Sequence, residues 1–282
     1  MITPVRPGPY TLRGVSVGGV YTALRVPELG VLLDVGIAPR SFVAEDVLLL
    51  SHAHADHVGA LTTLLGLRGL AKKGPLKVLM PREIVGPLQV GLEAMSKLQR
   101  HDLAIEAVPM AAGDEHRLRN DLWVRAFPTF HPVPSLGYQL LRKVQKLKPE
   151  LPELPGPEIG GRRKAGEVVT VEQERLEVAY APDTLVQVLD ETPSLLESRV
   201  LILECSFLDE RKDRHASRAG CHIHLDEIVE RADAFANEHL VLMHFSQIYK
   251  PTEIAAILES RLPASLHERV LPFVPKRKHW PG

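Results

Sequence analysis

Apolar and polar positions alternate along the first forty residues, at 21–26 and again at 30–35, with glycines between them. A period of two puts successive side chains on opposite faces, so the pattern predicts paired β-strands. A short apolar run at 47–50 ends in a polar loop, and 58–70 then carries Leu and Ala at helical spacing. A strand at 76–80 leads into an amphipathic helix over 82–98. Strands follow at 104–110, 116–119 and 122–127, the last two as a hairpin about Asn120-Asp121. Another strand is predicted at 136–144. From 146 to 166, four prolines and four glycines break every period, which predicts a loop or arm rather than a packed element. Beyond it, strands at 168–171, 176–181, 200–205, 240–244 and 270–274 are interspersed with helices over 185–196, 225–237 and 251–261. Strands toward both ends of the chain with helices between them predict an α/β protein, two sheets packed together and helices outside.

Composition narrows this picture. At 282 residues with 45% apolar and 24% charged positions, the chain can bury a large core without disulfides or a structural metal. One domain over 1–282 is expected, with the arm at about 142–166. The net charge of −1 excludes a globally basic nucleic-acid coat. Two cysteines, Cys205 and Cys221, cannot form a disulfide framework and fit a reducing compartment. Residues 1–14, broken by Pro4, Pro7, Gly8 and Pro9, carry no apolar targeting core, and no run approaches the ~18 apolar residues of a membrane span. A cytoplasmic protein is expected.

Thirteen histidines are spread unevenly. Ser51-His52-Ala53-His54-Ala55-Asp56-His57 sets four metal-competent side chains directly behind an apolar strand. In an extended loop, residues two apart project to one side, so His52 and His54 can grip one cation together. A turn into the following helix redirects Asp56 and His57 toward a second position. Imidazole and carboxylate donors suit zinc. These four are too few for two catalytic ions, and His131, Asp183 and His244 supply the remainder. Each stands just past the carboxyl end of an apolar strand, where α/β sites assemble.

The pattern of His52, His54, Asp56 and His57 with later His, Asp and His resembles the metallo-β-lactamase superfamily. Val17-Gly18-Gly19, Phe130-His131 leading to Ser135-Leu136-Gly137-Tyr138, Glu204 before Cys205-Ser206-Phe207, His222-Ile223-His224-Leu225, and His244-Phe245-Ser246 narrow the resemblance to its RNase Z branch, short form. The resemblance implies a four-layer αββα sandwich. It implies one zinc on His52, His54 and His131 and another on Asp56, His57 and His244, with Asp183 bridging; Mn or Fe suits the same donors. Two such ions lower the pKa of a shared water and neutralise a phosphodiester's developing charge. His222 is the candidate acid for the leaving oxygen, with Glu204 holding its tautomer; His224 is an open alternative. Asp56 is also a candidate proton shuttle. Cys205 and Cys221 are expected to be small buried or loop residues, since a hard hydrolytic site prefers N and O donors.

The implied activity is endonucleolytic removal of the 3′ trailer from precursor tRNA by a homodimer. Arg142, Lys143, Lys146, Lys148, Arg162, Arg163 and Lys164 oppose only Glu150, Glu153 and Glu158, a basic arm suited to a phosphate backbone. Lys72, Lys73 and the 276–278 tail add positive charge, and Ser135 is a candidate phosphate contact. A short arm also fits a phosphodiesterase for small or cyclic nucleotides, and a third possibility is an RNA-binding module in which metal only organises loops. β-Lactam hydrolysis would leave the Glu204 and His222 features without a role.

Overall fold

In the computed structural model, which describes residues 3–149, 155–276 and 279–280, two seven-stranded sheets run in chain order. The first contains β1 (Thr3–Val5), β2 (Leu12–Val17), β3 (Tyr21–Val26), β4 (Val31–Leu33), β5 (Val47–Leu49), β6 (Leu76–Pro81) and β7 (Ile105–Met110). The second contains β8 (Glu115–Arg119), β9 (Leu122–Pro128), β10 (Leu136–Leu147), β11 (Thr170–Ala181), β12 (Val200–Glu204), β13 (His239–Met243) and β14 (Val270–Pro272). Each sheet begins with four antiparallel strands and continues with three in parallel register, so the two halves repeat one plan.

The parallel strands are apolar at nearly every position because both of their faces are buried. Parity sorts the side chains. Val200 and Ile202 enter the core between the sheets, while Leu201 and Leu203 enter a second core under the helices. In the first sheet, Leu33, Leu49 and Leu79 face inward, whereas Leu32, Leu48 and Val78 meet the outer helices. Fully burying one such side chain is worth about 1.5–3 kcal/mol, so a one-residue slip of register would be costly. The result is the expected αββα order of layers. Helices α1 (Ala55–Val58), α2 (Leu61–Leu70) and α3 (Arg82–Gln99) cover the first sheet. Within the second half lie α4 (Gly156–Lys164), α5 (Gln187–Glu191), α6 (Arg214–Ala219), α7 (Leu225–Val229), α8 (Pro251–Arg261) and α9 (Ala264–His267). No described helix is long and apolar enough to cross a membrane.

Several expectations are corrected. The helix predicted over 58–70 is two pieces, α1 and α2, offset at Gly59-Ala60. Those predicted over 185–196 and 225–237 shrink to α5 and α7, each followed by a single 3₁₀ turn. Pro193 causes the first break, because it disfavours the helical conformation at Thr192. The largest difference is the arm. It is a two-stranded ribbon, with β10 running on to Leu147 opposite Thr170 of β11, and it carries α4 near its tip. The ribbon's outer positions are exposed on both faces and α4 buries no residue, so no apolar period was there to be read. Pro157 sits in the first turn of α4, where a missing N–H costs nothing. Glu150 and Glu153 of the arm, and Arg277 and Lys278 of the tail, lie outside the described residues.

Candidate active site

Every strand that approaches the site does so with its carboxyl end. The loop after β5 carries His52 and His54 and passes into α1 with Asp56 and His57; His131 follows β9, Asp183 follows β11, Glu204 ends β12 and His244 follows β13. These side chains meet at the seam between the two sheets. His244 adopts φ 60°, a left-handed conformation sparsely populated outside glycine.

The donors fall into two adjoining groups. In the first, His52 Nε2 and His131 Nε2 stand 3.2 and 3.1 Å from His54 Nδ1. Tetrahedral ligands at ~2.0–2.1 Å from a zinc ion are separated by roughly 3.3–3.4 Å, so these nitrogens already have ligand spacing. In the second, Asp183 Oδ1 is 3.2 Å from both His57 Nε2 and His244 Nε2, and Asp56 Oδ2 is 3.5 and 3.8 Å from the same nitrogens. Asp183 Oδ1, His57 Nε2 and His244 Nε2 are buried and have no well-directed hydrogen bond. Buried orphan atoms cost about 1–3 kcal/mol each, and three of them aimed at one point are the signature of a cation site. The His52 and His57 rings, 4.1 Å apart at their centroids, bring the two groups side by side.

The electrostatics agree with this donor set. Burial drives His52 down to about 2 and His131 to about 4, which keeps both imidazoles neutral with a lone pair to give. Burial would also depress His57, but Asp183 and Asp34 at its two nitrogens outweigh it and raise its pKa well above the ordinary value. Asp56 falls to about 2: the cost of its burial is overcome by the neighbouring His244 and His57. Asp183 is held well below the usual carboxylate range for the same reason, with burial opposed by His244 and His57. The second group therefore favours positive charge between its members, as a proton or a divalent cation. The residues present fit bound metal.

Two relays, one from each half of the molecule, orient the ligands. His52 Nδ1 donates to Ser51 Oγ (2.9 Å), which donates to Asp34 Oδ2 (2.7 Å), and His57 Nδ1 donates to the same oxygen (2.7 Å). His244 Nδ1 donates to Ser206 Oγ (3.1 Å), which donates to Glu204 Oε2 (2.9 Å), and His222 Nδ1 donates to Glu204 Oε1 (3.0 Å). Such outer partners fix a ligand's tautomer and ring orientation. Burial would lower His222, but the charge and hydrogen bond of Glu204 lift it to about 9. With Nδ1 committed to Glu204, Nε2 is the nitrogen left for other contacts. The buried Asp34 and the roles of Ser51 and Ser206 were not anticipated. Asp34 stands just past β4, at a strand end like Asp183, but no neighbouring donor in the sequence marks it.

His224 is engaged at a helix start. Its side chain accepts from Asp226 N and caps α7, while Glu227 returns to its own backbone N–H, a reciprocal capping box. Cys205 is buried and Cys221 half-buried, and neither belongs to a donor group. Ser135 Oγ is bonded to Thr129 Oγ1 at 2.6 Å. Arg142 pairs with Asp121 (2.8 Å) and Glu177 (3.4 Å), and Lys143 with Glu115 (2.7 Å) while lying over the Trp123 ring. Their charges sit in ion pairs at the base of the arm. Further out, Arg162 pairs with Glu158, whereas Lys146, Lys148, Arg163 and Lys164 have no carboxylate partner among the described residues.

The family model described as a beta-lactamase superfamily domain matches residues 33–245. The chain is 36% identical over 263 residues to tRNase Z TRZ1 of Arabidopsis thaliana, covering 93% of this chain and 94% of that protein. It is 34% identical over 267 residues to the chloroplastic tRNase Z TRZ2 of the same plant, covering 94% and 75%. The crystal structure of human tRNase Z, short form, superposes with a TM-score of 0.56 at 18% identity over 98% of this chain and 97% of the human one, a likeness of fold. The chain belongs to the tRNase Z family of the beta-lactamase superfamily.

Proposed function

We propose that this chain is a dizinc endoribonuclease that removes the 3′ trailer from precursor tRNA, leaving a 3′-hydroxyl on the tRNA and a 5′-phosphate on the trailer. The observation that carries the reading is the adjacency of two donor groups to an acid of the right kind. The His222 and His131 rings lie 6.1 Å apart and the His222 and His244 rings 5.3 Å apart, so the proton on His222 Nε2 borders both groups. His52, His54 and His131 would hold one ion and Asp56, His57, His244 and Asp183 the other, with Asp183 between them. Ions so held would supply an activated water and screen the charge on the phosphate.

The chain's own groups then divide the proton work. Asp56, ionised and partly open to solvent, receives the proton of the attacking water at a carboxylate oxygen. His222 Nε2 gives its proton to the departing 3′-oxygen, and Glu204 stabilises the imidazolium beforehand through Nδ1. The buried surround of His52, His57 and Asp183 excludes bulk water, which strengthens each of these charge interactions. The relatives' names, tRNase Z, support tRNA as the substrate, and the cations of the arm that have no carboxylate partner among the described residues support contact with a phosphate backbone.

Mapping of the 3′ end after incubation with a tRNA precursor tests this reading. Cleavage immediately 3′ of the discriminator nucleotide, abolished by chelator and restored by Zn²⁺, is expected. Hydrolysis of bis-p-nitrophenyl phosphate or a cyclic nucleotide with the precursor left whole would assign the site to small phosphodiesters. Tight RNA binding with no metal-dependent turnover would make the chain a binding module.

A further inference from the structure

The segment that leads from β12 to the acid histidine is rich in cations, and all but one are spoken for. Arg211 is bound by Asp209 (2.8 Å) and Glu253 (2.5 Å), Arg214 by Glu230 (2.6 Å) and Arg218 by Glu227 (2.6 Å). Lys212 alone has no carboxylate partner among the described residues. Its ammonium lies 4.3 Å from the centroid of the Phe207 ring, and that ring stands edge-on to His222 with centroids 6.1 Å apart. Phe207 is buried, and its backbone is held by pairing with the 223–225 segment, so the platform under the ammonium is fixed. The half-buried Lys212 stem is likewise tied down, its N–H donating to Asp209 O. The charge is near enough to His222 to oppose the lift given by Glu204.

A lysine held on an aromatic face, unpaired and beside the proton donor, is placed to receive an anion from solvent. We propose that Lys212 binds a substrate phosphate on the leaving-group side, the one 5′ to the nucleotide whose 3′-oxygen His222 protonates. The polarity of this assignment rests on the reaction proposed above, in which the departing oxygen is the 3′-oxygen of the discriminator. The scissile phosphate itself is served by the metal-ligand groups; Lys212, over the Phe207 ring, is a substrate-binding residue for the neighbouring phosphate. It fixes where along the strand the acid finds its leaving group.

Steady-state kinetics on Lys212→Gln and Lys212→Arg, with wild type alongside, test the assignment. For precursor tRNA, Lys212→Gln is expected to raise KM roughly tenfold, the scale of one lost charge-assisted contact, and to change kcat by less than about twofold. Lys212→Arg keeps the charge and should restore most of the affinity. Two dinucleotides that differ only in a 5′-phosphate isolate the contact. Wild type should prefer the 5′-phosphorylated one, and Lys212→Gln should lose that preference while hydrolysing bis-p-nitrophenyl phosphate normally. An unchanged KM for RNA, or an equal loss on bis-p-nitrophenyl phosphate, would overturn the proposal, the latter by showing that Lys212 acts through His222 or the scissile group. If wild type leaves the precursor whole yet cuts the dinucleotides, the tRNA assignment fails and the 5′-phosphate preference still decides the role of Lys212.

Discussion

At the scale of single residues, the site is governed by two carboxylates that touch no substrate. Asp34 accepts four hydrogen bonds, from Ser51 N, Ser51 Oγ, His57 Nδ1 and Tyr180 Oη, all between 2.6 and 2.7 Å. Asp34→Ala would leave His57 free to turn. Loss of such an outer partner typically weakens a metal site 10–100-fold. Metal titration of Asp34→Ala should show that drop at the group that includes His57, which loses its direct partner, and a smaller one at the group that includes His52, which Asp34 reaches only through Ser51; unaltered affinity at both would remove Asp34 from the ligand architecture. Glu204 governs the acid. Because it holds the folded pKa of His222 at about 9, above the ~6.5 of an unfolded chain, the pair stabilises fully below about 6.5 and its contribution fades as pH climbs through about 9. In turnover the same titration is an alkaline limb, since only the protonated ring can serve the leaving oxygen. His222→Ala should retain metal, lose roughly 10²–10⁴ in kcat on RNA, and flatten that limb. Loss of metal instead would make His222 a ligand.

Elements explain which parts of this could be read in advance. The strands β4, β5, β12 and β13 announce themselves because burial on both faces leaves them apolar throughout, save Glu204 at the end of β12 and His239 at the start of β13. The ligands after them follow from the rule that sites form at carboxyl ends. Asp34 escaped because a lone carboxylate after a three-residue strand carries no spacing signal, unlike the histidines packed between 52 and 57. The arm was misread for a different reason: a ribbon with no core to face has no hydrophobic period, and prolines hid the helix at its tip. The helix predicted over 185–196 was cut short by Pro193, whereas α7 begins where it was read, at Leu225, behind the capping His224. One glycine shows how tightly the elements are joined. A Cβ on Gly36 would lie 2.0 Å from Asp56 O, so the turn after β4 presses directly on the backbone of α1. Gly36→Ala must push α1 outward. It is expected to cost about 1–3 kcal/mol in stability, as overpacking does, and to lower occupancy of the second donor group. Thermal unfolding with and without added Zn²⁺ would reveal both, and a variant that behaved as wild type would show the loop to be compliant.

The whole molecule repeats one plan twice and places the chemistry where the halves meet. His52, His54, Asp56 and His57 belong to the first sheet, and His131, Asp183, Glu204, His222 and His244 to the second. Tyr180 of the second sheet donates to Asp34 of the first, and Tyr138 donates to Leu50 O across the same seam. Neither donor group can form until the sheets pack, so metal binding and the inter-sheet core are thermodynamically linked. Quantitative elemental analysis of the purified, unstripped chain, together with His131→Ala and Asp56→Ala, bears on this directly. Two transition-metal ions per wild-type chain and about one per chain in each variant are predicted. One ion or none in the wild type would contradict a two-ion site built from both halves.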